Sequence, residues 1–400
     1  MVKKMKVLGL ILELNPYHNG HEYFINKAIE AVNPDYTVAI ITSSFSMRGD
    51  IFVSNKFERT NELLKKGIDV VIELPTAYTL NNADIFGYTT VEILKKFKMT
   101  DLAFGVETND LESLSSLVKI MNSDEYNLLL KSFLDKGNSY STSSYKSILS
   151  LTNDEKLSFA STLPNNTLAI QYLKHASNIN IHPITRINND YYDKELNSSS
   201  IQSATALRRA LLDNLDISNY VPTNLNYINQ EEAYKNLYMI LKYQLSKNKD
   251  FSIYLNCKEG IENRIINCIN NSSSFDEFVD NVKTKRYPPN RIKRTILSII
   301  LEITDNYINE PLRLRVLGMS TNGEKLIKSL NKEVKKNIVT TLKNNTDEVF
   351  KIELNATKLY DIITNQNTLI NEFKVPYKED KNDSKWNKRT SWTNRWWIKR

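Results

Sequence analysis

Apolar positions along the first hundred residues follow two alternating rhythms. Val7–Leu12, Thr37–Thr42, Val70–Leu74 and Leu102–Phe104 are short apolar runs rich in β-branched residues, the pattern of strands buried on both faces. Between them, Glu22–Val32, Lys56–Lys66 and Ala83–Phe97 repeat apolar residues at helical spacing. Strand–helix alternation at this interval predicts an α/β protein with a doubly wound parallel sheet. Ligands of such sheets bind beyond the carboxyl ends of the strands. Asn15–His21, Ser43–Phe52, Pro75–Asn82 and Gly105–Asn109 lie at that edge.

Further on, Leu111–Asp135 reads as one or two helices. The polar, Ser-rich stretch Asn138–Ser150 reads as a mobile loop able to act as a lid. Pro164 opens a helix that runs to His175, and His182–Ile187 reads as a strand. A polar loop, Asn188–Ser200, leads to Ser203, a good helix N-cap, with Arg208 over a turn deeper. Beyond about residue 215 the pattern is helical almost throughout, in Glu231–Leu245, Ile261–Asn270, Phe275–Lys283, Ile292–Ile308 and Glu324–Leu330. Three units are expected: an α/β domain over residues 1–212, a mainly α-helical C-terminal domain over 213–375, and a basic, Trp-rich tail over 376–400.

Composition narrows the class. A chain of 400 residues with 41% hydrophobic and 25% charged residues is globular and too long for one ordinary core. Cys257 and Cys268 are its only cysteines, too few for a disulfide framework or a four-cysteine zinc site, which fits a reducing cytoplasm. Lys3, Lys4 and Lys6 before Val7–Leu12 mimic a signal peptide, but the run meets Glu13 with no small-residue cleavage site. No apolar stretch approaches the roughly 20 residues that span a bilayer. No membrane contact and no obligate protein partner is called for.

Charge divides the chain more sharply than its sum suggests. Residues 211–400 hold 31 Lys and Arg against 23 Asp and Glu, and the first 210 hold 22 against 23. The excess positive charge is therefore C-terminal, which suits a half that meets a polyanion. Lys283, Lys285, Arg286, Arg291, Lys293 and Arg294 form a run without an acid, suited to an RNA backbone or to a merely solvated helix face. All four tryptophans (Trp386, Trp392, Trp396 and Trp397) fall among basic residues at the C-terminus. Such a mixture can stack on single-stranded bases, although a terminus without fixed structure is the plainer reading.

Two of the four histidines, His18 and His21, sit where the first strand turns into the first helix. Three readings are open. The pair could ligate a metal, but no third ligand is evident nearby, so no metal is assigned. They could be ordinary polar turn residues. Or they could bind the β- and γ-phosphates of a nucleotide, helped by the free N–H groups of a helix start, and stabilise pyrophosphate as it leaves.

Glu13-Leu-Asn15-Pro-Tyr-His18-Asn-Gly20-His21 resembles the HxGH-type signature of the nucleotidyltransferase superfamily, and more narrowly the bacterial tRNA(Met) cytidine acetate ligase family. Ser43–Gly49, Lys56 with Arg59, Gly67–Pro75, Phe104–Glu107, Pro164–Asn166, Arg186 and Ser203–Arg208 resemble later family blocks in order. Lys285–Tyr287, Arg291–Arg294 and Arg315–Gly318 do so in the C-terminal half. The second loop departs from the pattern: it reads Ser43-Ser44-Phe45-Ser46-Met47-Arg48-Gly49, where the family more often has Gly-Asn before the Arg-Gly pair. The Trp-rich tail has no family counterpart.

The resemblance implies a Rossmann-like nucleotidyltransferase domain acting as an ATP-dependent ligase. It would join acetate to the wobble cytidine of elongator tRNA(Met) through acetyl-adenylate. It implies ATP, as Mg-ATP, bound along Ile11, Leu12, Glu13, Leu14, Asn15, Pro16, Tyr17, His18, Asn19, Gly20, His21, Glu22, Tyr23 and Phe24. Gly105, Asn165, Asn166, Arg186, Ser203 and Arg208 complete that set, with His18 and His21 as the catalytic pair and the basic run holding tRNA. Glu73 and Glu107, each after a strand, remain open between catalysis and capping. Two alternatives stand beside this reading: an adenylyltransferase that joins AMP to a phosphorylated small molecule, and an RNA-binding protein with a vestigial nucleotide site.

Overall fold

A computed structural model describes residues 5–107, 110–186, 196, 200–247 and 250–379. Strands β1 (Val7–Leu12), β2 (Tyr36–Thr42), β3 (Val70–Leu74), β4 (Asp101–Val106) and β5 (Asn180–Thr185) form its parallel part, ordered β5-β4-β1-β2-β3. The chain moves outward from β1 to β3 and then returns to the other side of β1. The order therefore reverses between β1 and β4, and a crevice opens at the carboxyl ends of those two strands.

Period-two alternation sends the strand side chains to two cores. Leu8, Leu10, Leu12, Ala39, Ile41 and Val71 are buried on one face, and Val7, Val38, Ile40, Val70 and Ile72 on the other. Burying each large aliphatic side chain contributes roughly 1.5–3 kcal/mol, so burial on both faces fixes the register. Helices α1 (Asn19–Val32) and α2 (Lys56–Lys65) start where side chains accept their first free N–H groups: His18 from Gly20, and Asn55 from Phe57 and Glu58.

The region expected to be helical supplies two further strands, and the start of the expected tail supplies a third. β6 (Leu314–Ser320) adds to the sheet antiparallel to β3, and β7 (Ile338–Val339) and β8 (Tyr377–Glu379) pair with β6. The seven-residue run around Arg315-Val-Leu-Gly is buried on both faces like the parallel strands, but its short length left it without a recognisable period. Ser-rich Asn138–Ser150 is not a loop: Tyr140–Thr152 is a helix capped by Ser139. Its small hydroxyl residues allow close packing, as in the bond from Tyr126 Oη to Ser144 Oγ at 2.8 Å. The helix expected over Ile292–Ile308 is Pro289–Ile300, and a long helix, Glu348–Thr364, carried no clear signal. The four tryptophans and most of Asn188–Ser200 lie outside the described residues. No described helix is long and apolar enough to cross a membrane.

A buried charge cluster ties the C-terminal segments to the sheet. Lys56 Nζ lies 2.5 Å from Glu73, 2.9 Å from Glu353 and 2.5 Å from Glu372. Arg315, paired in register with Glu73 across the sheet, reaches Glu372 at 3.2 Å. Glu353 also accepts the Thr76 N–H at 2.7 Å. Burial and the neighbouring Glu353 push the Glu73 carboxyl up, against the pull of Lys56.

Candidate active site

The crevice at the reversal between β1 and β4 is a cavity of about 220 Å³. The end of β1 contributes Ile11, Leu12 and Glu13, the following turn Asn15, His18, Gly20 and His21, and α1 adds Tyr23 and Phe24. Phe104, Gly105, Asn165, Ile184, Thr185 and Arg186 line the opposite wall, and Ser203, Ala204, Thr205 and Arg208 close one end.

Local chemistry fixes the two histidines. His18 is the N-cap of α1, and its Nδ1 accepts the Gly20 N–H at 3.0 Å. His21 Nδ1 receives the His18 N–H at 3.4 Å, which completes a capping box built from imidazoles. Each Nδ1 lone pair is thus turned to the backbone, so the neutral tautomer carries its proton on Nε2. The rings lie 3.9 Å apart between centroids. A side chain at position 20 would bring its Cβ within 2.8 Å of His18 Cε1, so the ring can fold back only over glycine. Burial, His21, Arg186 and Arg208 hold the His18 pKa well below the usual imidazole range. Burial and Arg186 push His21 down to about 3. Both rings are therefore neutral N–H donors at physiological pH.

Positive groups surround them. The N-termini of α1 and of helix Ala204–Leu212, capped by Ser203, open on the cavity beside Arg48, Arg186 and Arg208. Arg208 Nη1 donates to the Asn15 carbonyl at 2.7 Å. Two helix starts and three guanidinium groups around one cavity make an anion site. Phe86, Phe104, Leu168, Tyr172 and Ile184 provide an apolar wall at the β4–β5 side. A Cβ added at Gly105 would meet nothing within 4 Å, so it would project into open space and the bare backbone is free for a flat ligand.

Several expected residues stand back from the cavity. Leu14, Pro16 and Tyr17 are buried behind it. Asn19 is bonded to the Ser200 and Asn219 carbonyls, and Glu22 pairs with Lys66. Asn166 is buried and its Oδ1 accepts the Glu107 N–H at 3.2 Å, while Asn165 reaches the cavity. Glu107 accepts the Asn165 and Asn166 N–H groups at 3.0 and 2.9 Å and so caps that helix start. Glu73 sits in the Lys56 cluster. Among the described residues Glu73, Glu353 and Glu372 are grouped closely enough for a metal, but Lys56 Nζ already fills that role as a cation.

The basic run divides. Lys283, Lys285 and Arg286 are exposed, with Arg286 and Arg291 3.5 and 3.0 Å from Glu259. Lys293 instead pairs with Asp50 at 2.7 Å, and Arg294 Nη1 donates to the Met47 carbonyl at 3.2 Å. The second loop, expected at the ligand edge but without residues in the ATP-binding set, contributes Ser46, Met47, Arg48 and Asp50 to the cavity lining. Its signal was Arg48-Gly49 in the loop that follows the second strand. Tyr172 and Thr185 carried no comparable signal.

The fold and this cavity define a nucleotidyltransferase, and the family comparison agrees. The chain belongs to the HIGH nucleotidyl transferase family, whose model matches residues 5–374, and within it to the family of the tRNA(Met) cytidine acetate ligases. The tRNA(Met) cytidine acetate ligase of Thermosipho melanesiensis is 35% identical over 360 residues, covering 84% of each chain. That of Listeria welshimeri is 32% identical over 389 residues, 93% of this chain and 98% of the relative. Apo TmcAL of Thermotoga maritima superposes with a TM-score of 0.85 at 27% identity, over 94% of this chain and 100% of that one. The same protein bound with alpha-thio ATP gives 0.83 at 26% identity over the same shares.

Proposed function

We propose that this protein is an ATP-dependent acetate ligase that forms N4-acetylcytidine at the wobble position of elongator tRNA(Met). The observation that carries the chemistry is the neutral His18–His21 pair at the start of α1, facing a cavity ringed by Arg48, Arg186 and Arg208. A triphosphate lies with its β- and γ-phosphates on the imidazoles and the Gly20–Glu22 backbone, entering as its magnesium complex. The base lies against Gly105 and the apolar wall, with the Asn165 amide and Ser203 at the ribose. Acetate, already ionised at neutral pH, attacks the α-phosphorus in line. The bond to the β-phosphate oxygen breaks, giving acetyl-adenylate and pyrophosphate. Hydrogen-bond donors fixed before the reaction stabilise the charge that gathers on the leaving group. The cytidine N4 then attacks the acetyl carbonyl and AMP departs with the electron pair of the broken C–O bond, while N4 loses a proton. The base must leave its stack to reach so recessed a site.

In this division residues 1–212 carry the chemistry, residues 213–375 hold the RNA, and Lys283, Lys285 and Arg286 are its exposed phosphate contacts. ATP–pyrophosphate exchange tests the first step: exchange should require acetate and proceed without RNA, and acetyl transfer should follow on adding tRNA(Met). Exchange supported by a phosphorylated small molecule but not by acetate would overturn the reading.

A further inference from the structure

Arg48 stands at the apex of a tight turn whose two flanks are gripped from opposite sides. Gly49 N–H donates to the Ser46 carbonyl at 2.8 Å, Ser46 N–H donates to the Asp50 carbonyl at 2.9 Å, and Phe45 and Ile51 form a bridge below. From the cavity side, Glu13 accepts the Met47 N–H at 2.6 Å. From the far side the turn rests on the first turns of helix Pro289–Ile300. Gly49 has φ +80, and a Cβ there would lie 2.7 Å from Lys293 Cβ and 2.8 Å from the Arg294 backbone N. Only glycine fits, both for its backbone angle and for that close approach.

Two polar fasteners complete the seat. Lys293 Nζ meets Asp50 Oδ1 at 2.7 Å, with the two side chains only 22% and 13% exposed. Arg294 Nη1 donates to the Met47 carbonyl at 3.2 Å. Burial pushes the Asp50 carboxyl up, but Lys293, Arg208 and Arg48 outweigh it and keep the group ionised. The fastened residues, Met47, Gly49 and Asp50, flank Arg48 on both sides.

We propose that Lys293 and Arg294 are positioning residues for the adenylation step: acting through Asp50 and Met47, they hold the turn so that Arg48 is presented to the nucleotide phosphates. The proposal rests on the reading of this cavity as an ATP site. It moves Lys293 and Arg294 out of the set of RNA contacts that the basic run suggested. A guanidinium on an unanchored turn would have to be ordered each time a phosphate bound, whereas a seated turn presents it in place.

The two roles separate in an assay that contains no RNA. Lys293→Met should lower kcat/KM for ATP in acetate-dependent exchange by roughly tenfold to a hundredfold, the scale of a positional error of about 1 Å. ATP affinity measured by calorimetry should fall with it, while tRNA affinity stays within about twofold of wild type, as expected for a residue that does not pair with an RNA phosphate. Lys293→Arg, which retains the charge, should restore most of the loss. In an Arg48→Ala background Lys293→Met should add less than about twofold, since both changes remove one interaction. Unchanged exchange with weaker tRNA binding would make Lys293 an RNA contact and overturn the proposal. So would a loss confined to kcat that matches the unfolded fraction in a denaturation curve. A wild-type protein that binds ATP but exchanges without acetate refutes the ligase reading alone, because the calorimetric comparison still decides the clamp.

Discussion

The proposed mechanism gives the two nitrogens of His18 two tasks, and substitutions can separate them. Nδ1 caps α1 by accepting the Gly20 N–H at 3.0 Å, while in the proposed mechanism Nε2–H is the donor offered to phosphate. His18→Asn keeps the first task, because a carboxamide oxygen one bond beyond Cγ reaches the place of Nδ1 and asparagine is a strong N-cap. It removes the second, because no donor extends to the Nε2 position. Losing one preorganised donor to a developing oxyanion costs about 2.7–4 kcal/mol, or 10²–10³ in rate. His18→Ala loses both tasks, and removal of the cap adds about 0.5–2 kcal/mol of destabilisation. His18→Gln does the reverse of asparagine: its longer amide places an N–H near the Nε2 position and withdraws the cap. Exchange kinetics and urea unfolding, measured together, should therefore rank the Asn and Gln variants in opposite orders. Activity should run Gln above Asn, and stability Asn above Gln and Ala. The ring is buried but borders the cavity, so the smaller asparagine leaves no sealed void to obscure the comparison. Exchange by His18→Asn within about threefold of wild type would refute the donor role, since the loss of such a donor is far larger.

Lys56→Met should destabilise the protein by about 3–5 kcal/mol, because it removes the ammonium that holds Glu353 and Glu372, beside a Glu73 carboxyl already pushed toward its neutral form, and leaves Arg315 as the remaining cation; urea unfolding that shows less than about 1 kcal/mol would contradict the ion-paired description of that cluster. His21 is neutral in the fold down to about pH 3 but takes up a proton near 6.5 when unfolded, so its contribution is complete above 6.5 and is lost as pH falls below it. Wild type should therefore lose about 1.4 kcal/mol relative to His21→Gln between pH 7.5 and 5.5, and parallel stability curves would exclude this. Replacing Lys283, Lys285 and Arg286 together by alanine should weaken tRNA binding and flatten its log–log salt dependence by about 2–3, at roughly one unit for each phosphate deprived of its cation. An unchanged slope would place the RNA elsewhere.

The nucleotide-binding half was legible because its signals are local and periodic. β1 and β3 occur over the expected Val7–Leu12 and Val70–Leu74, and β2, β4, α1 and α2 differ from expectation by no more than a few residues. His18 and His21 were visible as a rare residue pair at a strand-to-helix turn. What local pattern could not convey was distance along the chain. β6 pairs with β3 from some 240 residues away, with Arg315 opposite Glu73, so no nearby turn announces the pairing. Helix Tyr140–Thr152 was obscured because serine usually favours turns; here Ser147 and Thr152 return their hydroxyls to the carbonyls four residues back, at 2.8 Å each, and satisfy themselves within the helix. Asp50 and Lys293 each look like surface charges in isolation, and only the fold shows them to be partners.

That last pairing changes what the C-terminal charge means. A run of six basic residues suggests one surface, yet it spans a turn and a helix start, and the helix rotates successive side chains by about 100°. Lys283, Lys285 and Arg286, before the helix, face solvent. Lys293 and Arg294, one turn into it, face the second loop. The turn before the helix thus carries charge suited to an RNA backbone, while the helix itself, in the proposal made above, holds the wall of the cavity. Packing makes this arrangement stiff: Ile292, Ile296, Leu297 and Ile299 of the helix are buried in the same core as Phe45, Ile51 and Phe52 at the flanks of the loop, so the helix cannot drift away without disrupting that core. Net charge alone could not separate these roles, because an arginine that holds a carbonyl and one that awaits a phosphate count the same. Burial separates them.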